Sequence, residues 1–194
     1  MRRVAILGAG KIGSLIAVLL LSSTDYIVSV VDIDFSGDDQ DRLDDADPNL
    51  KKLSCDVQDE QALAACFEAH QQDAVISCLP YYCNEVVAKI AKTHHLHYFD
   101  LTEDTQVTDA VKQFAQGAKT AFVPQCGLAP GFIGIAAHSI MKKFDSLDIV
   151  KLRVGALPIN TSNSLQYAWD GAFRPSSHFC TVDTELAMIR AKTP

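Results

Sequence analysis

Residues Gly8-Ala9-Gly10-Lys11-Ile12-Gly13 set three glycines at the spacing G-x-G-x-x-G, directly after one apolar run and directly before an apolar helical pattern. In that context the spacing has a chemical purpose. The first glycine permits a tight turn, the second lets backbone approach a pyrophosphate, and the third lets the helix lie close to a sheet. A helix opening at Lys11 and Ile12 then offers unbonded N–H groups and a partial positive charge to phosphate. Asp32 ends the next apolar run, where a carboxylate accepts hydrogen bonds from the hydroxyls of an adenosine ribose and repels a 2′-phosphate. No arginine stands among the next several residues, so the expected cofactor is NAD, with NADP disfavoured. Asp34 is the nearby alternative to Asp32, although a capping or solvent-facing role suits it better.

Further along, Asp56 follows a third apolar run and is placed either to reach the adenine amino group or, like Asp59, to cap a helix. Ser77-Cys78-Leu79-Pro80-Tyr81 follows a fourth run, at the point where an open parallel sheet reverses its strand order and leaves a crevice for ligand. Pro80 would stiffen a loop running beneath the nicotinamide ribose. Asp100 is the member of the acidic stretch at 100–104 nearest that crevice, and Thr102 with the residues up to Gln106 also resembles a helix start. The run Pro124-Gln125-Cys126-Gly127-Leu128-Ala129-Pro130-Gly131-Phe132 interleaves two glycines with two prolines, which demands a specified backbone path rather than a passive linker. His94, His95 and His97 fall where a helix ends, a place where imidazoles meet the helix dipole, and no metal site is expected.

The elements that must hold these residues alternate regularly. Strands are expected at 4–7, 27–31, 52–55, 74–77, 97–99 and 121–123, and helices at 12–21, 60–69, 83–92, 108–116 and 131–143. This is the signature of βαβ units and predicts an α/β, Rossmann-type doubly wound parallel sheet. The Asp-rich stretch 34–50 interrupts the rhythm and reads as an exposed connection. After Phe144 the pattern changes to the alternation of a half-buried strand at 149–156, predicting the start of a truncated second α+β domain. The expected division is a dinucleotide-binding domain over 1–146 and a partial substrate and dimerisation domain over 147–194.

Composition narrows the partners. A net charge of −7 and a pI near 5.2 leave no clustered Lys and Arg for a nucleic-acid footprint. No apolar run reaches the length of a membrane span, and the N-terminus goes straight into a strand pattern without a secretory signal, so a cytoplasmic protein is expected. The six cysteines are irregularly spaced with no C-x-x-C, and read as buried reduced thiols.

With Gly8 to Gly13, Ser77 to Tyr81, Tyr98 to Asp104 and above all Val123 to Phe132 in view, the sequence resembles the saccharopine dehydrogenase family, within it the bacterial lysine-dehydrogenase-like branch. The stretch from Val150 to Pro158 is similar to the strand that opens the family's second domain. The resemblance implies NAD(P)-linked oxidation or reduction, through an imine, at an amine-bearing carbon of an amino-acid substrate. It implies that Ser77, Leu79 and Pro80 line the nicotinamide side, that Asp100, Cys126, Gly127 and Leu128 edge the cleft, and that Asp100 or Cys126 helps move a proton. The family runs on well beyond the length of this chain, and the sequence after Tyr167 departs from its pattern, which predicts a truncation or an altered reading frame near Trp169. A homodimer is expected through the apolar strand after Asp148. The competing expectation is an NAD-binding fragment without turnover, with an oligomerisation role. A short-chain reductase fits poorly, because the Tyr-x-x-x-Lys pair is missing.

Overall fold

The computed structural model describes residues 1–37, 41–147, 149, 150 and 152. Among the described residues six strands form one sheet, β1 (Arg2–Leu7), β2 (Tyr26–Asp32), β3 (Leu50–Ser54), β4 (Ala74–Ser77), β5 (His97–Asp100) and β6 (Phe122–Val123). Every pairing is parallel and the order is β3-β2-β1-β4-β5-β6, the doubly wound Rossmann arrangement. Among the described residues five α-helices accompany it, α1 (Lys11–Ser22), α2 (Glu60–His70), α3 (Asn84–Thr93), α4 (Thr105–Ala115) and α5 (Phe132–Met141). Each expected strand and helix from 4 to 143 is found, with shifted ends. Residues Tyr81–Cys83 form a 3₁₀ turn, so α3 opens at Asn84, and α4 opens at Thr105, closer to the helix start signalled after Thr102.

The central strands explain their own composition. Val4 to Leu7 of β1 and Val28 to Val31 of β2 are buried without alternation, because helices or loops cover both faces of a parallel sheet. On one face Ala5, Leu7, Val31, Val75 and Tyr98 meet Leu63 and Phe67 of α2, Val87 and Ile90 of α3, and Val107 and Val111 of α4. On the other, Val4, Ile6, Val28 and Val30 meet Ala17 of α1 and Leu43.

The stretch 34–50 is mostly exposed, as expected, and Leu43 is its buried anchor. Among the described residues between β2 and β3, Asx turns organise the chain. Asp34 accepts from the Ser36 amide at 2.9 Å, Asp44 from the Ala46 amide at 2.9 Å, and Asp47 from the Asn49 amide at 2.8 Å. Burying Leu43 is worth about 1.5–3 kcal/mol, roughly the entropy of ordering one or two residues, so these local bonds must hold the rest.

By internal packing the chain divides into two compact units, one of residues 1–102 with 106–124 and one of 103–105 with 125 onward. The expected strand at 149–156, the tail helix near 186–189 and most of the expected second domain lie outside the described residues, as does Cys180.

Candidate functional site

The carboxyl ends of the strands lie side by side. Leu7 pairs with Val31 on one side and Ser77 on the other, Asp32 with Ser54, and Ser77 with Asp100. The sheet edge therefore carries the glycine loop, Asp32, Ser77 and Asp100, and the strand order reverses between β1 and β4.

Each glycine of the loop has its own constraint. Gly8 sits at φ +98°, a conformation L side chains rarely adopt, and a Cβ there would meet the Cys78 carbonyl oxygen at 3.1 Å. A Cβ on Gly13 would overlap the Gly8 carbonyl, so the first turn of α1 can approach the loop only as glycine. Gly10 is different. A Cβ on it would meet nothing within 4 Å among the described residues, so this position is open on the side where a ligand would lie. Ser14 ties the loop to the helix, its hydroxyl donating to the Ala9 carbonyl at 2.8 Å and its amide to the Gly10 carbonyl at 2.9 Å.

Gly10 is the N-cap of α1, and among the described residues no side chain caps that first turn. Lys11 and Ile12 are exposed there. A helix start whose backbone donors lack a cap favours an anion.

Asp32 is half-buried at the end of β2, and its Oδ2 accepts the Ala9 amide at 2.6 Å while Oδ1 accepts the Asp34 amide at 3.2 Å. Asp34 accepts both the hydroxyl and the amide of Ser36, and the hydroxyl above all holds its carboxyl below the usual range. Asp34 thus builds its turn. Asp56 is exposed and accepts the Gln58 amide at 2.9 Å, whereas Asp59 caps α2 by accepting the Gln61 and Ala62 amides at 3.0 Å.

At the reversal, Ser77 is buried and donates to Asn84 Oδ1 at 2.6 Å, a bond that joins the end of β4 to the start of α3. Leu79 is half-buried and Pro80 exposed. Asp100 is fully buried, with Oδ2 accepting the Tyr98 hydroxyl at 2.7 Å and Oδ1 the Thr102 amide at 3.0 Å. Tyr98 stacks on Phe122 at 5.5 Å, and burial, reinforced by the Asp100 carboxylate, raises its pKa far above the ordinary phenol. Sequence reasoning missed Asn84, Tyr98 and Ser14. Only Ser14 carried a signal, a hydroxyl set early in an apolar helix.

In the second unit, Cys126 is exposed and Leu128 is 60% exposed. The Phe132 amide donates to the Gly127 carbonyl and the Ile133 amide to the Leu128 carbonyl, closing the loop onto α5. Gly131, at φ +127°, packs so tightly under this loop that a Cβ would overlap the Gly127 carbonyl, which explains the specified backbone path.

The expectation of uniformly buried thiols needs correction. Cys83 is buried, Cys55, Cys66 and Cys78 are half-buried, and Cys126 is exposed. The five described cysteines form no disulfide with one another, and burial pushes the Cys78 thiol up to about 12. His94 lies 3.6 Å from Glu68, and His97 Nδ1 accepts the Ala121 amide. Among the described residues no group of three His, Cys, Asp or Glu side chains could hold a metal ion, and no helix is long and apolar enough to cross a membrane.

This arrangement has known counterparts. Saccharopine dehydrogenase (L-Glu forming) from Saccharomyces cerevisiae superposes with a TM-score of 0.64 at 21% identity, over 87% of this chain and 38% of that one. The chain therefore spans well under half of the yeast protein's length. The dTDP-glucose 4,6-dehydratase from Bacillus anthracis, solved in complex with NAD, superposes with a TM-score of 0.52 at 11% identity, over 77% of this chain and 66% of that one. UDP-glucose 4-epimerase from Thermotoga maritima, solved with UDP-glucose, gives 0.50 at 15% identity, over 63% of this chain and 54% of that one. At these identities the superpositions establish the Rossmann-type fold. Residues 4–123, more than half of the sequence, match the saccharopine dehydrogenase NADP binding domain, and the chain belongs to that family.

Proposed function

We propose that this chain binds NAD across the carboxyl edge of its sheet and serves an oxidoreductase of the saccharopine and lysine dehydrogenase type. Hydride transfer would take place at an amine-bearing carbon of an amino-acid substrate. The observation that carries the reading is the uncapped N-terminus of α1, opened by Gly10 and flanked by the Asp32 carboxylate. The residues present fit the group, since the space beyond Gly10 would admit a pyrophosphate that a side chain would exclude. Lys11, Ile12 and Gly13 would present their amides to it.

Gly8 and Gly13 would hold the loop against the sheet, and Asp32 would accept the ribose hydroxyls, favouring NAD over NADP. Ser77, Leu79 and Pro80 would border the nicotinamide side, with Asp56 toward the adenine, and Leu128 is the further cofactor-binding residue that the family resemblance implies. When bound, the nicotinamide supplies the hydride acceptor or donor. The proposed proton-handling groups are Asp100 and Cys126. Asp100 is buried with both oxygens accepting hydrogen bonds, which suits holding a geometry, and the exposure of Cys126 suits exchange with substrate.

A second reading is an NAD-binding unit that turns over no substrate by itself, supported by the 38% share of the yeast protein that it spans. We place the protein in the cytoplasm as a homodimer. Phe132, Ile135 and Ile140 of α5, all more than half exposed, support an apolar interface. Fluorescence titration with NADH and NADPH tests the cofactor, and incubation with NAD and either lysine or saccharopine tests turnover. Tighter NADH binding supports the first assignment, and equal or reversed affinities overturn it. NADH binding without NADH production from either substrate selects the second reading.

A further inference from the structure

Asp32 touches the glycine loop as well as standing where a ribose would lie. Gly8 donates its amide to the Val31 carbonyl at 2.8 Å, and the next amide, that of Ala9, donates to Asp32 Oδ2 at 2.6 Å. Two consecutive loop amides are thus fastened to the end of β2, one to backbone and one to a charged side chain. The carbonyl of Ala9 is held in turn by the Ser14 hydroxyl. The second fastening is the more vulnerable, because it depends on a side chain and because Ala9 is fully buried, so its amide would have no water to replace a lost acceptor.

From this geometry we infer that Asp32 is a positioning residue for the phosphate-binding loop, independently of any contact with a ribose. The 2.6 Å bond to Ala9 holds the loop so that Gly10 and the first turn of α1 face outward. The consequence concerns cofactor selection. Removing the carboxylate to admit a 2′-phosphate also releases the loop, so a substitution that keeps an acceptor behaves differently from one that does not. Asp32→Asn removes the charge and retains an amide oxygen for Ala9. Asp32→Ala removes both.

A role at the ribose alone makes the two variants equivalent toward NADPH, or favours alanine for its smaller size. A positioning role ranks asparagine above alanine for both cofactors, by on the order of tenfold, the size of one hydrogen bond lost at a buried amide. The affinity arm rests on the dinucleotide reading given above. A second arm does not. Hydrogen exchange of the Ala9 amide, followed by NMR in the full 194-residue chain without cofactor, should be slow in the wild type and in Asp32→Asn and at least tenfold faster in Asp32→Ala. Circular dichroism of each variant identifies global unfolding. Equal Ala9 exchange in Asp32→Ala and Asp32→Asn, with both folded, overturns the inference. So does NADPH binding by alanine that equals or exceeds binding by asparagine. If no form binds a dinucleotide while exchange still separates the two variants, the cofactor reading fails and the positioning role stands. If Asp32→Ala alone unfolds, the Asp32→Asn chain decides, and loss of Ala9 protection in that folded variant contradicts the inference.

Discussion

Helices α1 and α2 begin in opposite ways, although both follow a strand of the same sheet. Asp59 closes the start of α2 by accepting the Gln61 and Ala62 amides, and Glu60 adds an acidic side chain to the first turn. The start of α1 has Gly10 in the capping position, no side-chain cap among the described residues, and no acid in its first turn. An Asp cap exceeds a Gly cap by a few tenths of a kcal/mol, so α1 forgoes a small stabilisation that its neighbour takes. The difference separates a helix start that serves the fold from one left open for an anion.

The largest effect should come from closing the space under α1. Gly13→Ala sets a Cβ against the Gly8 carbonyl and forces helix and loop apart, at a cost of about 1–3 kcal/mol by analogy with overpacked cores. Denaturant unfolding should show that loss, and NADH titration should show no binding. Gly10→Val should abolish NADH binding while leaving circular dichroism and the unfolding midpoint nearly unchanged, because its side chain enters open space. Binding that survives in this variant would mean the loop holds another ligand. Smallest of the three, Asp59→Ala should lower stability by about 1 kcal/mol without altering cofactor affinity, since it uncaps α2 alone.

The contrast between the two helices was partly legible beforehand. G-x-G-x-x-G after an apolar run announced the open start of α1, because steric need at Gly8 and Gly13 restricts those positions to glycine. At α2 the sequence offered both Asp56 and Asp59 as caps, and only the backbone path distinguished them. Asp56 bends its own turn through Gln58, while Asp59 reaches the helix amides. The parallel sheet was legible because its central strands are apolar without alternation, whereas the packing of Leu43 was hidden in a run of aspartates that serve turns. Asp100 was visible as a carboxylate at a strand end. Its engagement by Tyr98 depends on residues of the same strand whose side chains, two positions apart, lean together, which composition does not reveal.

The most direct measurement is calorimetric titration of NADH into the 194-residue chain and into Gly10→Asp, a variant that supplies α1 with the kind of cap α2 already has. The expected result is one NADH bound per wild-type chain, and no detectable binding to Gly10→Asp, whose carboxylate occupies the helix amides and raises stability by a few tenths of a kcal/mol. Absence of binding to the wild-type chain, or equal binding to both, would contradict the assignment of the α1 N-terminus as the dinucleotide site.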